Sequence, residues 1–238
     1  MSVLARRGVV ASALGAAADW LIEPAEPPEP ARSPAPLEAR PVVAVVGLST
    51  RCGATTVARA LGAELAARDP AGACTVTAAE ATGTLPLGLP GAGRLTRALA
   101  PLFAGRARAC GRLCLVEAPD TARLADAVRY LAPLVLDVGD PAGASAAVGL
   151  TDHVLLGGSP ATEPALAAVL GQSLARVGPR PLPVLNRAAR DAERWEGRAA
   201  AELPDSRMGA QLALAGREPR GRLGRAVAEL ADRCEGVR

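Results

Sequence analysis

The sequence predicts an α/β fold in which a mostly parallel sheet carries helices on both of its faces. Short apolar segments bounded by turn residues alternate with longer segments of helical periodicity, which is the order of repeated βαβ units. The apolar segments are nearly continuous, as in Leu134-Val135-Leu136, and this suits strands that are buried on both faces. The first strand also runs through a glycine-containing turn directly into the first helix.

Each element is bounded by its own local signals, chiefly glycine, proline and charged residues at its ends. The predicted strands are 42–46, 73–78, 112–117, 133–138, 153–157 and 182–185. The predicted helices are 55–68, 91–104, 120–131, 161–176, 191–201 and 221–234. In the last helix the larger apolar residues form a narrow stripe, which predicts a helix that packs against the core.

Residues 1–22 and 23–40 differ in composition from the rest of the chain. The first 22 residues can form one short helix, with Trp20 near its end. Segment 23–40 is dense in proline and charge, which is typical of an extended, solvated linker. The arrangement predicts a docking peptide on a tether, for a protein partner or a membrane surface. The alternative is a frayed terminus without a function. Residues 41–238 form the predicted folded domain.

The overall composition excludes several classes of function. The chain has 238 residues, enough for one domain with a substantial core. Aromatic residues make up 2% of the chain, so recognition of single-stranded nucleic acid by base stacking is not expected. The net charge of +3 is too small to indicate a nucleic-acid-binding protein. All 27 basic residues are arginine, so the chain contains no lysine.

Cellular location can be argued from the N-terminus and the cysteines. Residues 8–18 follow two arginines and resemble a weak signal peptide, but they are mostly alanine and glycine. No apolar run reaches the length of a membrane span. The five scattered cysteines do not suggest a disulfide framework, and Cys110 and Cys114 lack the partners of a zinc site. We therefore predict a cytoplasmic protein, with membrane or polar attachment through residues 1–22.

The turn after the first strand has the frame of a phosphate-binding loop. Such loops read G-x-x-x-x-G-K-[ST], in which backbone N–H groups at a helix N-terminus surround an anion. Here Gly53 fits the second glycine, Thr55 fits the metal-side hydroxyl and Thr56 follows it, but Ala54 replaces the lysine. Arg51 lies inside the loop as a partial substitute, although guanidinium and ammonium are not interchangeable. The alternative for Arg51 is a solvated loop charge.

Two further polar residues stand at the predicted carboxyl ends of apolar strands. Asp137 ends the strand that begins at Leu134, a usual position for a carboxylate that holds Mg²⁺ through water. Asn186 is the one asparagine of the chain and ends the strand 182–185, where α/β proteins bind ligands. Its amide can pair with a purine edge. The alternatives are an ordinary strand-end carboxylate for Asp137 and a turn-stabilising amide for Asn186.

Taken in order, these segments resemble the MinD/ParA class of P-loop ATPases. Within that class the chain is most similar to the CpaE/TadZ branch, which is associated with Flp-type pilus assembly and related secretion systems. The resemblance spans residues 41–235 and rests on six segments: GLSTRCGATTVARAL, RLCLVEAPD, PLVLDVGDPAG, TDHVLLGGSPATEPALAAV, PVLNR and LPDSRMGAQLALAGREPRGRLGRAVAELA. Class members carry the loop K-G-G-x-G-K-T-[TS], whose two lysines correspond to Ser49 and Ala54.

The resemblance implies a P-loop fold, ATP and Mg²⁺ as cofactors, and roles for particular residues. It places Thr55 and Thr56 at the phosphates, Thr55 and Asp137 at the metal, and Asn186 with Arg187 around the base. Because both lysines are missing, we expect a degenerate protein that acts as a localisation or assembly scaffold for a pilus, secretion or cell-pole system. The alternatives are an active ATPase switch that dimerises with Mg-ATP, and a biosynthetic P-loop enzyme.

Overall fold

An eight-stranded sheet lies at the centre of the described part of the chain. The computed structural model describes residues 39–77, 93–99, 107–117, 125, 128–188 and 193–236. The strands are β1 (Val42–Gly47), β2 (Ala73–Thr77), β3 (Ala107–Cys110), β4 (Leu113–Glu117), β5 (Leu134–Gly139), β6 (His153–Gly158), β7 (Leu182–Ala188) and β8 (Ala201–Pro204). The helices within these ranges are α1 (Ala54–Arg68), α2 (Arg94–Leu99), α3 (Ala144–Val148), α4 (Pro164–Leu174), α5 (Arg207–Leu214) and α6 (Gly221–Glu235). Single 3₁₀ turns cover Pro141–Gly143 and Glu193–Trp195.

The strand order places β1 where the chain changes direction across the sheet. The order is β3-β4-β2-β5-β1-β6-β7-β8, and all neighbours are parallel except β3 and β4. The connection from β1 leads to one side of the sheet, whereas the chain after β5 crosses to β6 on the other side. Such a switch point opens a crevice at the carboxyl ends of the central strands, which is where α/β proteins bind ligands. The predicted mostly parallel sheet is confirmed.

Helices cover both faces of the sheet, as predicted. One face packs Val43 and Val45 of β1 against α1, α5 and α6. The opposite face packs Ala44 and Val46 against α3 and α4, and α2 covers the neighbouring strands. Strand β1 is fully buried from Val42 to Val46, which explains its uninterrupted apolar sequence. The apolar stripe of α6, from Leu223 to Cys234, is buried against this core.

The structure corrects one predicted helix and adds elements that the sequence did not predict. The predicted helix 191–201 is wrong, because the chain makes only the turn Glu193–Trp195 before β8 begins. Gly197, two residues after that turn, has a left-handed conformation (φ 66°), which a helix cannot continue through. Strands β3 and β8 and helices α3 and α5 were not predicted, because each has fewer than nine residues and no sustained apolar period.

Several predictions lie wholly or partly outside the described residues. These are the N-terminal peptide 1–22, the linker 23–40 except for its last two residues, and half or more of each of the predicted helices 91–104 and 120–131. From Ala39 onward the described residues belong to one compact unit.

Candidate phosphate-loop site

The loop between β1 and α1 lies at the switch point of the sheet. Strand β1 ends at Gly47, and α1 begins at Ala54 after Gly53, which has a left-handed backbone conformation (φ 89°). No side chain caps the helix at Gly53. The first N–H groups of α1 therefore lack a capping acceptor, and together with the helix dipole they favour an anion at this end.

Alanine at position 54 is part of the core. Its side chain is 7% exposed and packs near Gly47 and Gly157, at the ends of β1 and β6. The phosphate-loop frame places a lysine ammonium group here, whereas this chain places a buried methyl group. The position therefore contributes packing and no charge to an anion at the N-terminus of α1.

The end of β7 holds the loop from one side. The Asn186 side chain donates Nδ2–H to the carbonyl oxygen of Cys52 at 3.0 Å, and Arg187 donates a guanidinium N–H to the carbonyl oxygen of Arg51 at 2.7 Å. Asn186 is 6% exposed. A Cβ atom on Gly53 would lie 2.1 Å from Asn186 Nδ2, so this contact requires glycine at position 53. The amide that was predicted to meet a base is thus engaged with the loop itself.

Two arginines in this region adopt a left-handed conformation that is uncommon outside glycine. Arg51 has φ 59° and Arg187 has φ 58°, and the hydrogen bond between Arg187 and the Arg51 carbonyl joins them. Non-glycine residues in this region carry a strain of about 1–3 kcal/mol each, so the surrounding contacts must hold them. Both side chains are exposed. The site thus presents two exposed arginines, one in the loop and one near the end of β7.

A hydroxyl cluster holds the loop from the other side. Thr162, in the segment between β6 and α4, forms a side-chain hydrogen bond with Ser49 at 2.8 Å and another with Ser159 at 3.0 Å. The Thr162 hydroxyl also accepts a hydrogen bond from the Ser159 backbone N–H. The backbone carbonyl of Thr162 accepts one from the indole N–H of the fully buried Trp195 at 3.1 Å. The backbone N–H of Leu48 donates to the carbonyl of Gly157 at 2.9 Å. The loop is therefore fixed to both β6 and β7.

Asp137 lies beside the loop as a buried carboxylate. It pairs with Val45 of β1 and with Thr77 of β2 in the sheet register, and it is 0% exposed. Neither carboxylate oxygen has a hydrogen-bond partner among the described residues. Burial raises the pKa of Asp137, and the nearby hydroxyls of Thr55 and Thr77 counteract part of this rise. A carboxylate with two open oxygens beside a threonine hydroxyl offers the hard oxygen ligands that Mg²⁺ takes. These two residues therefore fit a magnesium ion.

Arg59 is a buried charge that was not among the predicted site residues. It lies on α1 one turn after Thr55, is 1% exposed, and donates one guanidinium N–H to the carbonyl of Leu214 at 2.9 Å. Its Nε and its second terminal nitrogen have no partner in the described part of the chain. Burial lowers the pKa of Arg59, and the charge of Asp137 opposes this effect. The sequence signal was an arginine inside the apolar run Val57-Ala58-Arg59-Ala60-Leu61.

The structure brings all eight predicted site residues together around the loop. Gly53, Ala54, Thr55 and Thr56 form the start of α1, and Arg51, Asn186, Arg187 and Asp137 adjoin them through the contacts described above. His153 pairs with Val43 near the opposite end of β1, away from this site. Within the described ranges, no group of three or more His, Cys, Asp or Glu side chains could hold a metal ion without other ligands. In the same ranges, no helix is both long and apolar enough to span a bilayer.

Solved structures with a similar fold include a ParA family ATPase and a cell division protein. The ParA family ATPase from Chlorobium tepidum TLS superposes with a TM-score of 0.61 over 81% of this chain and 99% of that chain, at 17% identity. The chain has the fold of the MinD/ParA ATPases. The MinC:MinD cell division protein complex from Aquifex aeolicus gives a TM-score of 0.59 at 16% identity, covering 83% of this chain and 96% of the other.

A third structure of this fold contains nucleotide. The complex of a Cyanothece McdA variant with ATP gives a TM-score of 0.57 at 13% identity, covering 84% of this chain and 98% of that one. No protein-family model matches the sequence, and neither does any curated protein. At these identities the likeness establishes the fold.

Proposed function

We propose that the chain is a degenerate MinD/ParA-like P-loop protein that acts by binding. It would serve localisation or assembly in a pilus, secretion or cell-pole system of the kind that the CpaE/TadZ resemblance implies. It would bind ATP weakly or not at all. The observation that carries this proposal is the buried methyl group of Ala54 at the lysine position, in a chain without lysine. A methyl group cannot neutralise the charge of the β- and γ-phosphates.

The contacts of the loop support a surface that persists without nucleotide. Asn186 and Arg187 bind two successive loop carbonyls, and Thr162 binds Ser49 at the other end. These bonds come from the protein's own side chains, so the loop does not need a ligand to keep its shape. A scaffold requires such a constant surface, whereas a switch requires a surface that changes with the ligand.

A second candidate function is the active ATPase switch, and the open carboxylate of Asp137 favours it. If Mg²⁺ and ATP bind, Thr55 and Asp137 would hold the metal, which would neutralise phosphate charge. Gly53 and Thr56 would contact phosphate at the start of α1. Arg51, or a residue from a partner, would replace the lysine. We expect dimerisation with Mg-ATP and slow hydrolysis that a partner stimulates in this case.

The same candidate gives Asn186 and Arg187 a second task. Both would lie near the base, as the resemblance implies. The amide oxygen of Asn186 forms no hydrogen bond in the described residues, so it can accept a bond while Nδ2 stays on the loop. Position 54 would still lack a cation.

Partners and location follow from the scaffold proposal. The protein would be cytoplasmic and attached to a pole, a membrane or a secretion complex through residues 1–22, tethered by the proline-rich segment 23–40. One solved structure of the same fold is a complex with a second cell division protein, MinC. By analogy, we propose that this chain binds protein partners of a pilus or secretion assembly and can form a homodimer.

Calorimetric titration of the purified full-length chain with ATP and Mg²⁺ tests the nucleotide part of the proposal. The scaffold proposal predicts no binding below millimolar ATP. The switch predicts micromolar binding that Thr55→Ala weakens by at least about tenfold, because one metal ligand is lost, which corresponds to about 1.4 kcal/mol. Thr50→Ala, an exposed threonine in the same loop, is the matched control and should leave the affinity unchanged.

Hydrolysis and localisation assays separate the two candidates further. Hydrolysis of ATP that Asp137→Ala abolishes would overturn the scaffold proposal. An oligomeric state that is identical in ATP and ADP would count against the switch. A fluorescent fusion of the whole chain should form polar or membrane foci that disappear when residues 1–22 are removed. Foci that survive this truncation would show that the attachment lies elsewhere.

A further inference from the structure

A cavity of about 690 Å³ lies on the face of the sheet that carries α1, α5 and α6, away from the phosphate loop. Its walls are the second half of α1, the turn between β3 and β4, and the segment that joins α5 to α6. Ala66 on its wall is twelve residues after Ala54 along α1, which corresponds to about 18 Å along the helix axis. The volume is within the range of small-molecule sites in proteins, about 300–1,000 Å³.

One wall of the cavity is apolar. Ala63, Ala66 and Ala67 line it from α1, at the i, i+3 and i+4 positions that share one helix face. Ala109 and Leu113 line it from the β3–β4 hairpin. Ala63 and Ala66 are buried, and Leu113 is 2% exposed, so the apolar wall is continuous with the core. The apolar part of a ligand would pack against this wall.

The charged groups of the cavity are mostly cationic. Arg112, Arg217 and Arg220 line it, against the single carboxylate of Glu218. Arg112 is held in place because its guanidinium donates to the carbonyl of Asp69 at 2.7 Å. Within the described residues, no hydrogen bond or ion pair engages the guanidinium of Arg217 or Arg220. These two groups can therefore bind an anion without first breaking a contact.

A further positive charge lies under the wall of the cavity. Arg59 is 1% exposed and donates to the carbonyl of Leu214, the residue before the lining residue Ala215. Its charge reaches Cys110, which also lines the cavity. Two of its nitrogens have no partner among the described residues. The nearby charges of Asp137 and Glu117 offset part of its field, and the remainder adds to that of the lining arginines, because burial limits screening by solvent.

We propose that this cavity binds a small organic anion with an apolar body, such as a carboxylate or a monoester of phosphate or sulfate. The apolar body would lie on the alanines of α1, and the anionic head would lie between Arg217 and Arg220. Guanidinium groups suit such heads because they form paired, charge-assisted hydrogen bonds with them. The site is separate from the phosphate loop and does not depend on nucleotide binding there.

Backbone ¹H–¹⁵N NMR on the full-length chain tests the proposal with matched pairs of probes. Octanoate and 1-octanol share an acyl chain, and 2-naphthoate and 2-naphthol share an aromatic body; one member of each pair is anionic. At about −0.3 kcal/mol per heavy atom, a ligand of about ten heavy atoms binds in the millimolar range, so a titration is needed. We expect chemical-shift changes at 63–67, 109–113 and 215–220, with the anion at least about tenfold tighter than its neutral partner. Tighter binding of octanoate than of 2-naphthoate would indicate a ligand with an acyl chain, and the reverse would indicate one with an aromatic body.

Variants assign the binding to this cavity. Arg217→Ala combined with Arg220→Ala should weaken anion binding at least about tenfold, whereas Arg222→Ala combined with Arg225→Ala, on the exposed side of α6, should not. Ala67→Trp should block the cavity, and Ala168→Trp at an exposed site on α4 is its control. Thr55→Ala in the phosphate loop should leave binding intact. Equal affinity for anion and alcohol, shifts that map elsewhere, or no shifts would overturn the proposal.

Discussion

Replacing Asp137 by asparagine should stabilise the protein in the absence of metal. Asp137 is 0% exposed, and neither of its carboxylate oxygens has a hydrogen-bond partner among the described residues. A buried polar group without a partner costs about 1–3 kcal/mol, and a charged group costs more. The nearby Arg59 charge and the hydroxyls of Thr55 and Thr77 return part of that cost. Asparagine keeps the shape and removes the charge, so we expect a gain of about 1–3 kcal/mol at pH 7.

The dependence on pH gives this prediction a second check. Burial raises the pKa of Asp137 above its ordinary value of 3.8. Between 3.8 and the raised value the folded protein binds more protons than the unfolded chain, so stability falls as the pH rises through this window. Below pH 3.8 the carboxyl is protonated in both states, and the cost is absent. The advantage of Asp137→Asn should therefore be absent at low pH, grow as the pH rises, and level off above the raised pKa.

Thermal unfolding in the presence of a chelator measures the effect. For a domain of this size, 1 kcal/mol shifts Tm by about 2–4 °C, so Asp137→Asn should raise Tm by about 2–12 °C at pH 7. The control is Asp140→Asn. That exposed carboxylate accepts the backbone N–H of Ala142 at 2.8 Å, a bond that asparagine also forms, so Tm should not change. A lower Tm for Asp137→Asn beside an unchanged control would refute the reasoning, because the carboxylate would then have a stabilising partner.

Three further predictions concern the loop and the last helix. Asn186→Ala should destabilise the protein by about 1–3 kcal/mol in urea unfolding, since the buried Cys52 carbonyl loses its donor. An unchanged urea midpoint would show that the hydrogen bond from Asn186 to Cys52 does not stabilise the loop. Thr162→Val should destabilise the protein by a similar amount, because the Ser159 N–H loses its acceptor. Ser49→Ala, at an exposed residue, should destabilise it by less than about 1 kcal/mol. Equal losses of stability would show that the buried Ser159–Thr162 bond matters no more than the exposed one. Burial raises the pKa of Cys234 to about 12, so its thiol should resist a thiol reagent at pH 8. The free energy of unfolding should fall as the pH rises from 9 to 12, because the folded state keeps the proton longer than the unfolded chain. Rapid labelling of the native protein, measured by mass spectrometry, would show instead that α6 opens.

The sequence predicted the central strands and the long helices because their signals are local. Strand β1 is apolar throughout because both of its faces are buried, and α1 and α6 are long enough to show a period. The short strands β3 and β8 lack such a signal. They form because they pair with a neighbouring strand at the edge of the sheet, and their own composition does not indicate a strand. The predicted helix 191–201 does not form because a single residue, Gly197, has a left-handed backbone conformation.

The candidate site divides in the same way. The sequence by itself determined the loss of the loop lysine, the threonines that follow it and the strand-end positions of Asp137 and Asn186, because the order of residues fixes these. Only the tertiary structure decided that Asn186 binds the loop carbonyl, that Asp137 has no partner among the described residues, and that Arg59 is buried near it. These facts depend on which side chains come into contact between segments that are distant in sequence. An unpartnered charge costs much free energy only when it is buried, and burial is a property of the tertiary structure.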